Sequence, residues 1–314
     1  MTADPAVRDA LASAFDDSES RGVRHDVPPH RVYEVAVDGR RAVLKLATHP
    51  EADPATEARV MAYVEANTTV PVPHVLAVGE DYFVAEWHDG VPRDGAVDEA
   101  KARAMGAAMA TLHAETAGDF TATGFPRAAE DGLALDAHGS WHETACALVA
   151  DLETWLEPTG HADVAAETLA YLRAHPDSFD GAGDPVLCHG NVHPEHVGVE
   201  DGGGREGDAV TCVLDFEHAL VAPAGYDVWR TALPLLAESG EAIATAFREG
   251  YEAVRPLPDG FDRRGPVFRL VQTVSYFRSL YLQGNLTGEA AAAQAETMRE
   301  YAFETLADLC AAAE

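Results

Sequence analysis

Lysine is almost missing from this chain. Of its 22 basic residues only Lys45 and Lys101 are lysines, and they stand against 53 acidic residues for a formal net charge of −31. Basic stripes able to grip a phosphate backbone are absent, which argues against nucleic acid as a partner. No run of about 18 apolar residues occurs, and the N-terminus lacks a charged-then-apolar leader. The expectation is a cytoplasmic protein without a membrane partner. Cysteine is sparse too: Cys146, Cys188, Cys212 and Cys310 lie far apart with no CxxC pair. That spacing predicts reduced, mostly buried thiols and no disulfide frame.

What remains is acid and apolar surface. A charge of −31 repels itself in dilute buffer and is tolerable where salt screens it, with a Debye length of roughly 3 Å near 1 M. The expected setting is a halophilic cytoplasm. Disorder is excluded by the 47% hydrophobic content and its clear periodicity.

At 314 residues the chain is long enough for two lobes. Asp4-Pro5 opens a short helix through Phe15. Val32–Val37, Asp38-Gly39 and Ala42–Leu46 read as a hairpin with its turn signal in the middle. Asp53-Pro54 caps a helix, and Val75–Val78 and Tyr82–Glu86 read as strands. This predicts a small mixed unit over residues 1–90. Residues 91–314 read as mostly helical: Met105, Met109 and Leu112 share a face of a helix from about Asp98 to Glu115, with further helices at Trp141–Leu156 and Val164–Ala174. Residues 118–138, rich in Gly, Pro, Ala and Asp, read as a surface excursion. Two short strands, Val197–Glu200 and Val210–Leu214, flank a solvated tip at 201–208. The glycines of that tip are no phosphate cradle, because no helix follows. Helices are expected over the remainder.

Three places carry chemistry. Lys45 sits in an apolar strand of a chain that otherwise uses arginine, and a compact ammonium at that position suits nucleotide phosphates better than a guanidinium fork. Glu57, early in the next helix, is its candidate ion-pair partner. Asp215 closes the apolar strand Val210–Leu214, with Glu217 two residues on, a pair able to hold Mg²⁺ against ATP phosphates. Upstream lies the loop His189-Gly190-Asn191-Val192-His193-Pro194-Glu195-His196. There His189 is read as a backbone brace, His196 as a metal ligand, and position 191 as the place for a base or orienting group. An amide at Asn191 accepts a hydrogen bond but takes no proton at neutral pH. A zinc hydrolase built on His189, His193, His196 and Asp215 is a rival reading.

The loop HGNVHPEHV, the strand end VLDFE, the segment MGAAMATLHAE and the strand AVLKLA together resemble the aminoglycoside/macrolide/choline phosphotransferase family, relatives of protein kinases. The resemblance implies an α+β, two-lobed, protein-kinase-like fold, with ATP and Mg²⁺ as cofactors and a small hydroxyl-bearing molecule as partner. It also implies the place of the catalytic aspartate for Asn191, metal ligation by His196 and Asp215, the ATP lysine for Lys45 with Glu57 as its partner, and an adenine hinge at Glu86-Trp87-His88. Asp227 matches an acid of structural role. The hairpin around Val27-Pro28-Pro29-His30-Arg31 lacks the glycines that cover phosphates in protein kinases. By topology the acceptor is expected near Tyr226, Trp229 and the segment from Arg269 to Tyr281. Asn191 leaves two readings open: an ATP-dependent O-phosphotransferase of impaired turnover, or a non-catalytic ATP-binding protein.

Overall fold

Asp4 caps α1 (Pro5–Ala14), its Oδ1 accepting the Ala6 N–H at 3.0 Å. The structure, a computed structural model, describes residues 4–90, 95–130, 132–200 and 209–313. After α1 come β1 (Ser18–Val27), β2 (His30–Val37) and β3 (Arg40–Ala47), then α2 (Pro54–Asn67), β4 (Val75–Val78) and β5 (Tyr82–Glu86). These strands form one antiparallel sheet in the order β1-β2-β3-β5-β4. The β2–β3 turn is Asp38-Gly39, both with positive φ (48° and 76°), the left-handed geometry that a tight two-residue hairpin demands. Asp53 caps α2, taking the Thr56 N–H at 2.9 Å.

Period-two alternation divides the sheet's faces. Ala42, Leu44 and Leu46 of β3 join Val84 of β5 and Val7 and Leu11 of α1 in one apolar cluster. Phe83 and Ala85 face the other way, toward Val60, Met61 and Val64 of α2. Lys45 lies on that second face. The same cluster takes in Leu112, Leu187, Val213, Phe216 and Val221, so α2 docks the sheet onto the rest of the molecule.

The remaining elements are α3 (Glu99–Glu115), β6 (Thr123–Ala129), β7 (Gly132–His138), α4 (Trp141–Leu156), α5 (Ala162–Ala174), β8 (Pro185–Cys188), β9 (Val197–Val199), β10 (Val210–Val213) and β11 (Leu220–Pro223), followed by α6 (Ala224–Ser239), α7 (Glu241–Val254), α8 (Phe261–Gln283) and α9 (Gly288–Ala313). The main core joins α3, α4, α5, α6, α7 and α8 through side chains such as Met105, Leu152, Leu169, Phe247 and Phe268. The architecture is α+β.

Three expectations change. Residues 118–138 are not a bare excursion: β6 and β7 form a hairpin that pairs with β11, in a sheet ordered β7-β6-β11-β8. Its Gly, Pro and Ala content masks any alternation. β11 interrupts the expected helical run because Leu220, Val221, Ala222 and Pro223 are all buried against β8. β1 is a strand without a signal, since its solvent-facing sequence SESRGVRHDV has no apolar alternation to betray it. The expected tip at 201–208 lies outside the described residues. Among the described residues the four cysteines are free, and no helix is long and apolar enough to cross a membrane.

Candidate active site

Lys45 meets three carboxylates. Its Nζ is 2.7 Å from Glu57 Oε2, 2.7 Å from Asp215 Oδ1 and 3.0 Å from Glu217 Oε2. Lys45 and Glu57 are buried, at 7% and 2% exposure. One ammonium cannot balance three acids in such a place, and the acids respond unequally. Burial pushes the Glu57 carboxyl up to about 8, the nearby Asp215 and Glu217 adding to the rise and Lys45 opposing it. Burial acts upward on Asp215 as well, but the Lys45 and His196 charges hold it at about 2. Glu217, buried yet beside Lys45 and His30, stays well below the usual carboxylate range. Lys45 is held well above its ordinary value because the carboxylates outweigh its burial.

The backbone delivers Asp215 in a costly shape. Its φ of 70° and ψ of 59° are left-handed for a residue with a Cβ, at roughly 1–2 kcal/mol. Strain of this kind persists where neighbours over-determine it, and here Lys45 and the loop do so.

That loop leaves β8 at Cys188 and is suspended from Asp227. The Asp227 carboxylate accepts the N–H groups of His189 (2.7 Å) and Gly190 (2.9 Å) and pairs with His113 Nε2 at 3.1 Å. His113 Nδ1 in turn reaches the Tyr251 hydroxyl at 2.9 Å. Asp227 is fully buried, which acts upward on its carboxyl, yet the His113 hydrogen bond and charge keep it below the ordinary value. Only glycine fits at 190: its φ is 81°, and a Cβ there would lie 1.9 Å from the His218 carbonyl oxygen. The His189 ring bridges the loop to the Asp215 strand end, Nε2 donating to Leu214 O at 2.7 Å while Nδ1 accepts the Asn191 N–H at 3.3 Å.

Asn191 is bound at both ends. Its carbonyl oxygen accepts from His196 Nδ1 at 3.1 Å, and its side-chain Oδ1 accepts from His193 Nε2 at 3.1 Å. Burial lowers His193 to about 4, with the charges of His196 and Arg230 acting the same way. With Nδ1–H directed to the carbonyl, His196 turns Nε2 toward Asp215 Oδ2, 3.3 Å away. In the neutral ring a nitrogen and a carboxylate lone pair then converge, two donors that a divalent cation could share, with waters and phosphate oxygens completing its shell.

Lys45, Glu57, Asp215 and Glu217 are thus one cluster, and His189, Asn191 and His196 form the loop beside it. Two residues that the sequence does not single out join them: His30 Nδ1 is 2.8 Å from Glu217 Oε2, and His218 Nε2 is 3.4 Å from Glu217 Oε1. The only hint in the sequence is that His218 directly follows Glu217. The zinc reading fails on geometry, because both ring nitrogens of His189 are spent on backbone groups and His193 is turned to Asn191. At the expected hinge, Glu86 N–H donates to His74 O (2.9 Å) and Trp87 N–H to Arg41 O (3.3 Å). The His88 N–H has no backbone acceptor among the described residues. The Glu86 side chain points to solvent near Arg40, and the Trp87 ring lies under the Arg41 guanidinium at 3.6 Å. Of the expected acceptor region, Tyr226 is buried against Trp141, and Trp229 is stacked on Phe261 with a 4.9 Å centroid separation.

Known proteins share this arrangement's scaffold. The crystal structure of the aminoglycoside phosphotransferase APH(4)-Ia aligns with a TM-score of 0.67 at 17% identity, over 96% of this chain and 97% of that one. A thermostable mutant of the same enzyme, crystallised with ADP and hygromycin B, aligns with a TM-score of 0.67 at 18% identity, over 96% and 98%. A provisionally assigned fructosamine-3-kinase from Thermobifida fusca YX-ER1 aligns with a TM-score of 0.62 at 20% identity, over 95% and 99%. At these identities the likeness speaks to the fold, which is the two-lobed, kinase-like fold of these phosphotransferases. No curated protein matches the sequence significantly. The model of the phosphotransferase enzyme family (APH) matches residues 29–266, most of the chain, and the protein belongs to that family.

Proposed function

We propose that the protein is an ATP-dependent O-phosphotransferase, moving the γ-phosphoryl group of ATP to a hydroxyl of a small acceptor. The observation that carries this reading is the approach of Lys45, from the five-stranded sheet, to within 2.7 Å of Asp215, beyond the catalytic loop. An ammonium and a carboxylate from two parts of the chain, 170 residues apart, meet at one place. In our reading the lobes meet near Gly90, and the cleft between residues 1–90 and 91–314 takes the nucleotide.

The residues divide the work. Lys45, steadied by Glu57, binds nucleotide phosphates, and doing so draws it away from Asp215 and Glu217. The Glu86–His88 segment receives adenine, with the His88 N–H as its donor. His196 Nε2 and Asp215 Oδ2 would hold Mg²⁺, since their lone pairs already converge. Glu217 has Oε2 held by His30 and Lys45, and its Oε1, 3.4 Å from His218 Nε2, would be the oxygen to turn toward that ion. Bound there, the ion would neutralise charge on the phosphates. His189 and Asp227 fix the loop backbone so that Asn191 stands where the acceptor hydroxyl is oriented. In the transfer the hydroxyl oxygen forms a bond to the γ-phosphorus as the bond to the β-bridging oxygen breaks. Asn191 can orient that hydroxyl but cannot take its proton, so the proton leaves to water or to the transferred phosphoryl oxygens. Because such transfers lean on positioning and electrostatics, the site keeps most of its means without a carboxylate at 191.

A second reading, a non-catalytic ATP-binding protein, is favoured by the same Asn191, whose Oδ1 is already engaged by His193. ATP with Mg²⁺ raises the melting temperature under both readings. Phosphoryl transfer from labelled ATP to hydroxyl-bearing metabolites, in molar KCl, separates them. Transfer by the wild type or by Asn191→Asp supports the enzyme, and its absence from both supports the binding protein.

A further inference from the structure

Arg230 is a buried cation that no carboxylate pairs with directly among the described residues. It lies on α6 one turn beyond Asp227 and is 3% exposed. Its Nε and Nη1 have no hydrogen-bond partner, and among the described residues no carboxylate pairs with it. Asp227, whose charge acts on Arg230, has its oxygens committed to His113 and to the His189 and Gly190 N–H groups. Its direct contacts are neutral, the Tyr276 ring 4.7 Å from its guanidinium carbon and the Tyr226 side chain, and Asp227 acts on it only through its charge. Leaving an arginine without a paired anion in the interior is costly. In a chain with 53 acidic residues, a paired position for this guanidinium would be easy to supply.

Its location gives the reason. Residues three apart on a helix share a face. Asp227 uses that face of α6 to hold the catalytic loop, and Arg230, one turn on, lies near enough to the loop for its charge to act there. Its positive charge acts on both His193, next to Asn191, and His218, next to Glu217. Arg278, on α8, acts on His218 as well. Arg278 is ion-paired with Glu51 at 3.6 Å and Asp151 at 3.9 Å, both longer than a hydrogen bond. Two arginines from two helices therefore bring positive charge to the histidines beside Asn191 and Glu217, and of the two only Arg230 has no carboxylate partner among the described residues.

We propose that Arg230, assisted by Arg278, forms a subsite for an anionic oxygen group on the acceptor, which is a hydroxyl compound bearing a carboxylate or a phosphate monoester. This rests on the phosphotransferase reading and narrows it. An anion entering the subsite supplies the missing counter-charge and offers acceptors to the idle N–H groups, interactions of the charge-assisted kind. Polycationic acceptors are disfavoured by the same charges.

Matched probes test it. The protein is saturated with ADP and Mg²⁺ at fixed ionic strength in KCl, and its melting temperature is followed against gluconate and sorbitol, and against ribose 5-phosphate and ribose. The two anions distinguish a carboxylate from a phosphate subsite. At least one anion stabilises the protein while its neutral twin does not, and Arg230→Gln weakens that anion about tenfold or more while the ADP shift stays. The wild-type comparison decides the question even if Arg230→Gln fails to fold, and Arg230→Lys then serves as the second variant. Equal effects of the neutral twins, no effect of either anion, or an anion effect untouched in a folded Arg230 variant would overturn the proposal. Should ADP itself not bind, the phosphotransferase reading falls, and the anion titration without nucleotide still decides the subsite.

Discussion

The Nε2–H of His193 is directed at the side-chain oxygen of Asn191 across 3.1 Å. A carboxylate in place of the amide would receive the same hydrogen bond in a stronger, charge-assisted form and could also take a proton from an acceptor hydroxyl. Asn191→Asp should therefore raise the transfer rate by ~10²–10⁴, with ATP affinity little changed. Single-turnover transfer of labelled phosphate measures this, and an unchanged rate contradicts the role given to position 191.

Asp227 anchors the loop through two backbone N–H groups and a histidine, all buried. In Asp227→Asn one of those donors faces an amide N–H₂ and is left unsatisfied, at about 1–3 kcal/mol for each such group. Denaturant unfolding should show that loss of stability. Transfer should fall further than stability alone explains, because the loop that carries Asn191 loses its fixed position.

Acid should destabilise the protein. Burial holds His193 and His218 at about 4 against an ordinary 6.5. Between those values the unfolded chain binds more protons, so stability falls as pH drops, by up to ~1.4 kcal/mol per pH unit for each ring. Glu57 has the opposite sign. Its carboxyl is at about 8 in the fold against an ordinary 4.5, so the folded state holds the extra proton and stability falls as pH rises toward 8. Two rings outweigh one carboxyl below 6.5, and above it Glu57 acts alone. Melting temperature against pH should peak at about 6.5, and a plateau from 5 to 8 contradicts these assignments.

Salt should stabilise the fold well past the physiological range. A chain of net charge −31 repels itself, and screening tightens to a Debye length of roughly 3 Å near 1 M. We expect the melting temperature to keep rising with KCl to about 1 M and beyond. A curve that is flat above ~0.2 M would remove the ground for placing the protein in a high-salt cell.

Much of the fold is legible in the amino-acid sequence alone. The Asp4 and Asp53 caps mark two helix starts because a short acceptor side chain followed by proline, before an apolar periodic run, has few other uses. Asp38-Gly39 marks the hairpin by the φ values only such residues adopt cheaply. Lys45 and Asp215 stand out by rarity and by an apolar strand ending in acid. The hairpin of β6 and β7 and the strand β11 stay hidden. One is written in Gly, Ala and Pro, and the other is four residues long, too short for a period to show. His30, His218 and Arg230 are out of reach for another reason. Each matters through a partner, or the lack of one, that only folding brings near.

The central claim is that a nucleotide triphosphate lies between Lys45 and Asp215. Calorimetric titration of ATP, with and without Mg²⁺, into wild type, Lys45→Met and Asp215→Asn tests it most directly. Lys45→Met should lose about tenfold or more in affinity in both conditions, and Asp215→Asn should lose only the gain that Mg²⁺ provides. Undiminished ATP binding by Lys45→Met, or a full Mg²⁺ effect in Asp215→Asn, would contradict it.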